Sequence, residues 1–375
     1  MAKVAVLGAG GGGQTIAADL TLDGHSVRLY EHPKFAASLR PVRRRGGILI
    51  TGSGRNRDFA RIDLVTTDVR QAVRGADLVV VVVPCFGHRP MGEALCRHLQ
   101  DGQVVAFLGE GSGSLVFRQV LEERRKKTRR RKGPDVIYGE TNTLPYLTRI
   151  TGPAQVTMGR KRGGTLAAAF PAANNRAFVS TLQEFWPFIE PATHVFETIL
   201  INFNAIDHVS AVLFNAGRIE GSTMPFLLWG EGATPSVVRC IEAVDAEILN
   251  LRKALGCRDR STYKDFQVRQ GMVEEPQKTT YDAIHKGLVG KGTFPCGPDA
   301  LKFRYITEDV PYTLVLISDI GRLMGVPTPM NDALITVASV MNQDDYRSWG
   351  RTLKSLGLGR LKKRNVRKFL RTGRM

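Results

Sequence analysis

Gly8, Gly10 and Gly13 follow the apolar run 4–7 and precede an amphipathic stretch over residues 14–22, which stops at Asp23-Gly24; the next extended run, 26–30, leads to Glu31. A dinucleotide needs this spacing. Gly8 allows a tight turn, Gly10 lets the backbone approach a pyrophosphate, and Gly13 lets the following helix pack close to the strand. The diphosphate would rest on N–H groups at the helix N-terminus, those around Gly11 included. A carboxylate at Glu31 accepts hydrogen bonds from the adenosine 2′ and 3′ hydroxyls and repels a 2′-phosphate, since like charges about 4 Å apart oppose each other by about 4 kcal/mol at an effective dielectric of about 20. NAD(H) is therefore favoured over NADP(H). Against this, Lys34 and the run Arg40, Arg43, Arg44 and Arg45 lie close enough in sequence for an arginine to fold back onto a phosphate.

A nicotinamide reaction also needs a group that gives or takes a proton as hydride moves, and an imidazole titrates near neutrality. Seven histidines compete for the role. His25, His32, His88 and His98 fall in turns or on surfaces of the N-terminal half, His194 near a domain junction and His285 after a helix. His208 lies one helical turn after Asn204 on an otherwise apolar helix. That pattern fits a lined cleft and also a satisfied core histidine, and periodicity alone favours the core. A second constellation gathers Arg304, Glu308, Asp309 and Pro311 within eight residues. An arginine can grip a carboxylate in bidentate fashion, an acid can orient an imidazole, and a proline can open a helix. A structural salt bridge with an N-cap at Asp309 explains the same residues equally well.

These groups need elements to hold them. After the first βαβ unit, residues 60–66 read as a strand, 69–74 as a short helix and 76–84 as a fully buried strand whose five successive valines place it in the middle of a parallel sheet. Pro84 ends that strand, and the loop over 85–90 lies at the carboxyl edge where such sheets bind dinucleotides. A further strand, 104–108, enters a loop with Glu110 and Ser112, a second candidate for contacts near the cofactor, and then a helix from Leu115. Residues 135–138 and 155–158 read as more strands. From Leu182 the texture turns helical over 196–220, 236–255, 310–324 and 331–341. The expected architecture is α/β, with an N-terminal Rossmann-type doubly wound sheet domain (1–185), an all-helical C-terminal domain (186–359) and a basic C-terminal tail (360–375). The active site is expected in the cleft between the domains.

The net charge of +18 resembles a nucleic-acid signal until it is located. Residues 122–132 hold eight basic side chains against two acids, and residues 351–375 ten against none, so the rest of the chain is close to neutral. Such blocks form solvated faces or tails, and the aromatic interleaving that stacks bases is missing, which argues against a specific nucleic-acid role. The basic tail retains the capacity to touch an acidic partner. No apolar run is long enough to span a bilayer, and five cysteines without paired spacing argue against disulfides and against a metal site. A cytoplasmic protein with reduced, mostly buried thiols is expected.

Beyond the glycine loop, Glu140-Thr-Asn142-Thr143-Leu-Pro145-Tyr146, the segments 215–220 and 231–237, Arg304 to Tyr312, and Gly325-Val-Pro-Thr-Pro329 follow one another in order. In these segments the chain resembles the opine dehydrogenase family, the octopine and nopaline dehydrogenase type, over nearly its whole length. The resemblance fades at the tail, the basic stretch 124–132 lies outside it, and the loop with Glu110 and Ser112 departs from the glycine-rich loop usual there. It implies an NAD(P)H-dependent enzyme that condenses a 2-oxo acid such as pyruvate with the amino group of an amino acid and reduces the imine to a secondary amine. It also implies a catalytic dyad of His208 and Asp309, Arg304 on a substrate carboxylate, and Asn204 and Thr143 as further substrate contacts, with no metal. A homodimer through the helical domain is the expectation from related folds. Two other functions remain to be distinguished. A reductase of a simple 2-oxo acid on the same plan would be expected to carry a catalytic lysine where this chain has His208. A non-catalytic NAD-binding sensor would dock through its tail, and would lose its partner when 360–375 is deleted, whereas an enzyme would keep its turnover.

Overall fold

The computed structural model describes residues 1–109, 111–128, 133–161, 163–221, 224, 226–289 and 297–375; Glu110, Cys296 and the basic residues 129–132 lie outside the described residues. Two compact units divide the chain, Met1–Thr198 with Leu370–Gly373, and Ile199–Phe369 with Arg374–Met375.

The first unit carries the strands β1 (Lys3–Leu7), β2 (Ser26–Tyr30), β3 (Ile48–Gly52), β4 (Arg55–Ala60), β5 (Leu64–Thr66), β6 (Leu78–Val81), β7 (Val104–Phe107), β8 (Ile137–Thr141), β9 (Tyr146–Gly152), β10 (Gln155–Lys161), β11 (Leu166–Ala169) and β12 (Glu190–Pro191). An eight-stranded sheet runs β12-β11-β8-β7-β6-β1-β2-β5, and only the β8–β11 pair in it is antiparallel. Alternation divides its central strands between two cores: Val4, Val6, Leu78 and Val80 on one face, and Ala5, Leu7, Val79 and Val81 on the other. A strand apolar on both faces needs cover on both sides, and this is the doubly wound arrangement the valine run implied.

The sequence reading placed 60–66 in one strand, but β4 ends at Ala60 and β5 begins at Leu64. β4 belongs to a separate four-stranded sheet, β4-β3-β10-β9. This sheet packs on helix α1 (Gly11–Leu22): the buried Asp19 accepts from Tyr146 Oη at 2.5 Å and from Arg55 Nη2 at 2.5 Å, and Thr15 and Thr148 share a hydroxyl hydrogen bond. Trp186 Nε1 donates to Tyr146 Oη in turn (2.6 Å). A buried carboxylate needs such partners to remain in an apolar core. Helix α2 (Gly113–Thr128) follows β7 and carries the described part of the basic stretch.

The expected helix over 196–220 is three, α3 (Val195–Leu200), α4 (Phe203–Leu213) and α5 (Ala216–Glu220). Polar side chains make the breaks. Asn202 caps α4 by accepting the Asn204 N–H at 3.1 Å, and Asn215 Nδ2 donates to the carbonyls of Ala211 and Gly232. The second unit continues with α6 (Pro235–Leu255), α7 (Tyr263–Arg269), α8 (Arg304–Thr307), a π-helical turn at Val310–Leu314, α9 (Val315–Met324) and α10 (Pro329–Asn342). Because β12 pairs with β11, the sheet unit extends past residue 185. The segment 360–375 is no free tail: Leu361, Val366, Phe369 and Leu370 are buried around helix α11 (Val366–Thr372).

Candidate active site

The β1–α1 turn brings the sequence-predicted glycines together, each with its own constraint. Gly8 has φ +112°, and a Cβ there would lie 2.1 Å from the Val82 carbonyl oxygen. A Cβ at Gly13 would lie 1.7 Å from the Gly8 oxygen. Gly8 and Gly13 therefore hold the turn against its neighbours, as a close helix–strand crossing requires. Gly10 is the opposite case. It caps α1 with an extended backbone and no side-chain hydrogen bond, and a Cβ there would meet nothing within 4 Å. At Gly11 the nearest contact is an ordinary 3.6 Å, to Ile150. The first N–H groups of a helix have no partner within it, so an N-terminus with no side-chain cap beside open space suits a diphosphate. The dinucleotide fits these residues.

Glu31 is 8% exposed and already in use. Its Oε2 accepts the Ala9 N–H and its Oε1 the His32 N–H, both at 2.7 Å. The carboxylate ties the glycine turn to the end of β2, and each oxygen keeps a lone pair for a ribose hydroxyl. Burial raises the pKa of neighbouring Tyr30, and the charges of Glu31 and Asp68 add to the rise. Pro84 comes two residues after Val82 and caps the 3-10 turn Cys85–Gly87. Thr143 lies in the turn after β8, where its carbonyl accepts from Thr141 Oγ1 at 2.7 Å. In the second loop Ser112 adopts φ +58° and donates to the Gly111 carbonyl.

In the helical unit, α4 carries Asn204 and His208 four residues apart. Between Asn204 and Leu213 these two are the only positions not fully buried. This supports the lined-cleft reading of His208 over the core-histidine reading. Its Nδ1 stands 3.0 Å from Asp309 Oδ2, with side-chain exposures of 14% and 6%. Asp309 precedes the π-helical turn but makes no capping hydrogen bond, so the N-cap expected there gives way to the imidazole. Tyr305 stacks on the His208 ring with centroids 3.7 Å apart at 19°, and Phe303 meets Tyr305 edge-on. The hydrogen bond fixes one ring nitrogen and the stack fixes the ring plane. Arg304 pairs with Glu308 at 2.8 Å, the salt bridge that its spacing allowed, and its side chain is 62% exposed.

The sequence reading passed over Tyr305 and Asp207. Tyr305 lies in the segment Arg304 to Tyr312, four residues before Asp309, and only the packed structure brings it onto His208. Asp207 is enclosed, and its Oδ2 accepts from Tyr263 Oη at 2.7 Å. Three of the other histidines have structural surroundings: His25 accepts the Ala2 N–H, His285 stacks on Tyr281, and His88, expected in a turn or on a surface, is instead buried at the start of a helix, edge-on to Phe107.

Residues 191–342 match the family model described as NAD/NADP octopine/nopaline dehydrogenase, alpha-helical domain, and residues 3–131 match the NAD-dependent glycerol-3-phosphate dehydrogenase N-terminus. The opine dehydrogenase of Arthrobacter sp. (strain 1C) is 34% identical over 364 residues, covering 97% of both chains. The chain belongs to the opine dehydrogenase family. Octopine dehydrogenase solved with NADH and L-arginine, or with NADH and pyruvate, shares the fold at TM-scores of 0.74 and 0.71 and 20% identity, covering 100% of this chain and 99% of that one. Yersinopine dehydrogenase with NADP+ bound follows at 0.72 and 14% identity, covering 99% of each. This opine dehydrogenase family member is an NAD(P)-dependent oxidoreductase with a Rossmann-like sheet unit and a helical C-terminal unit. Among the described residues no group of histidines, cysteines and acids is suited to a metal ion, and no helix is long and apolar enough to cross a membrane.

Proposed function

We propose that the enzyme condenses a 2-oxo acid such as pyruvate with the amino group of an amino acid and reduces the product, with His208 as the acid and Asp309 as its partner. The amine adds to the keto carbon, water leaves, and hydride addition to the carbon of the resulting imine gives a secondary amine between two carboxylate-bearing carbons. When bound, the reduced nicotinamide supplies the hydride. The observation that carries the assignment is the His208–Asp309 contact at 3.0 Å on the face of α4 left open at Asn204 and His208.

Donating its Nδ1–H to Asp309 leaves Nε2 as the His208 atom that delivers a proton to the departing oxygen or to the imine nitrogen. A positioned acid of this kind contributes about 10²- to 10⁴-fold. Asp309 favours the charged imidazole and fixes its tautomer once the proton has gone. Arg304 offers a guanidinium to a substrate carboxylate, where its gain is orientation of the reacting carbon. Asn204 and Thr143 are assigned to substrate contact behind these three.

In the sheet unit Gly8, Gly10, Gly11, Gly13 and Pro84 shape the dinucleotide site, and the buried Glu31 supports a preference for NAD(H) over NADP(H). The proposal includes self-association through the helical unit, supported by exposed Val337, Val340 and Met341 on α10, which analytical ultracentrifugation reads directly. It also includes a cytoplasmic setting, in keeping with thiols rather than disulfides at Cys85, Cys96, Cys240 and Cys257, and contact of the exposed basic residues near α11 with an acidic partner. The reaction is tested by NADH oxidation with pyruvate or 2-oxoglutarate and a panel of amino acids, each omitted in turn. Oxidation that requires both partners supports the condensation and names the amine; oxidation with the oxo acid alone overturns it in favour of a simple reductase.

A further inference from the structure

We infer that Leu144, in the turn between β8 and β9, forms the apolar wall against which the nicotinamide half of the bound dinucleotide rests. The inference rests on the reading of the glycine turn as the dinucleotide site. The polar side chains around Leu144 are engaged within the sheet unit. Glu140 Oε2 accepts from Ser114 Oγ at the start of α2 (2.5 Å), Asn142 Oδ1 accepts the Leu166 N–H (2.8 Å), and Tyr146 Oη donates to Asp19 on α1. Thr141 Oγ1 accepts the Gly109 N–H at 3.2 Å and donates to the Thr143 carbonyl at 2.7 Å. These bonds lead the chain from the end of β8, past the loop that follows β7, to helix α1.

Leu144 lies where that path meets the glycine turn. A Cβ at Gly12 would stand 3.0 Å from Leu144 Cδ1 and 2.9 Å from Val82 Cγ1, and one at Gly109 would stand 3.8 Å from Leu144 Cδ2. Gly12 thus makes room for Leu144, as Gly13 makes room for the Gly8 carbonyl. The leucine stands between the loop that follows β1 and the loop that follows β7. It packs against the core on one side and is half-buried, so part of its surface remains open to a ligand.

Strand order decides which half of the dinucleotide it meets. From β1 the sheet continues to β2 on one side and to β6 and β7 on the other, and a dinucleotide lies across such a switch point, outside the carboxyl ends of the strands. Glu31 at the end of β2 takes the adenosine ribose, and the diphosphate lies at the turn around Gly10. The nicotinamide half is left to the β6 and β7 side, where Leu144 reaches Gly109. The reduced nicotinamide ring is neutral and planar. An aliphatic side chain against it holds it by shape and by exclusion of water, which orients the carbon that gives up hydride.

The test compares Kd for NADH with Kd for ADP-ribose, which keeps the adenosine and diphosphate but lacks nicotinamide, by titration calorimetry. Leu144→Ala is expected to bind NADH about tenfold more weakly, the equivalent of partly burying a leucine side chain, and to bind ADP-ribose as the wild type does. Leu144→Met keeps the volume and is expected to bind both ligands normally. A side chain that only shapes the turn would weaken both ligands alike in Leu144→Ala. Equal losses, or no loss in a folded variant, overturn the inference. Gly10→Ala is the control for the underlying reading and is expected to weaken both ligands. If it binds both as the wild type does, the turn is not the diphosphate site and the inference falls with it; if it weakens both while Leu144→Ala does not discriminate between them, only the role of Leu144 falls. A second measurement does not need Leu144→Ala to fold. In wild-type enzyme labelled at its leucine methyl groups, the Leu144 signals, assigned by their loss in Leu144→Met, are expected to show nuclear Overhauser effects to the nicotinamide C4 protons of bound NADH. Their absence at saturating NADH also overturns the inference.

Discussion

His208 and Glu31 each do more than their residue type announces, and both can be tested by a single substitution. His208→Ala removes the proton donor and takes the imidazole away from the buried Asp309. Turnover is expected to fall at least about a hundredfold, the lower end for a positioned acid, while NADH binding measured by fluorescence stays near wild type. Unchanged turnover would sink the dyad. Glu31 has a structural task alongside its electrostatic one. Its carboxylate accepts the N–H groups of Ala9 and His32, and hydrogen bonds to a charged group are worth about 1.5–3 kcal/mol each. Glu31→Ala therefore loosens the glycine turn and also removes the charge that opposes a 2′-phosphate. The expected result is weaker NADH binding together with an NADPH-to-NADH preference shifted towards NADPH; Kd values for both cofactors check it, and a loss equal for the two would mean that the turn alone was affected.

At the scale of elements, the glycine turn yields the sharpest expectation, because its constraint is steric. Gly13→Ala would drive a methyl group to 1.7 Å from the Gly8 oxygen and force α1 away from β1, whereas at Gly10 a methyl group has room within the protein. Gly13→Ala is expected to lose NADH binding and melt earlier. Gly10→Ala is expected to keep the wild-type melting temperature and lose affinity only through contact with the diphosphate, so calorimetry beside a binding titration separates the two. The βαβ unit was legible because its strands are apolar on alternate or both faces and its glycines have one geometric purpose each. The small sheet was not. β4 reads Arg-Asn-Arg-Asp-Phe-Ala, with little apolar alternation, and its hairpin with β3 turns on Ser53-Gly54, with Gly52 at φ +86° and Gly54 at φ +82°. The dyad was half legible. Periodicity placed Asn204 and His208 on one side of a helix, but which side lacks cover depends on the packing of other helices. Periodicity alone therefore favoured the core, and the resemblance to a family was what favoured the dyad. Asp309 misled for a related reason: an acid ahead of Val-Pro has the form of an N-cap, and only the packed structure shows its carboxylate turned to an imidazole 101 residues away.

For the whole molecule, the unequal distribution of charge is the feature that invites misreading. The segment 360–375 carries much of the excess positive charge, and from its sequence it is a solvated tail whose removal an enzyme would survive. In the fold, its basic residues Lys362, Lys363, Arg364, Arg367, Lys368 and Arg371 are exposed while Leu361, Val366, Phe369 and Leu370 are buried. The spacing of 366, 369 and 370 gives α11 one apolar face. Burying a side chain of this size contributes about 1.5–3 kcal/mol, so removing four of them takes away a sum comparable to the whole stability of an ordinary domain, about 5–15 kcal/mol. Deletion of 360–375 is therefore expected to lower the melting temperature steeply and abolish turnover through unfolding, which would mimic the loss expected of a docking protein. Charge and packing are separated by a different pair of variants. Replacing Lys362, Lys363 and Arg364 by Gln is expected to leave both melting temperature and turnover at wild-type values while weakening retention on a cation-exchange resin. Phe369→Ala keeps every charge, and is expected to cost about 3–5 kcal/mol and to melt well below wild type. If the triple Gln variant instead lost turnover while remaining folded, the exposed basic residues would have a part in the reaction that packing does not explain.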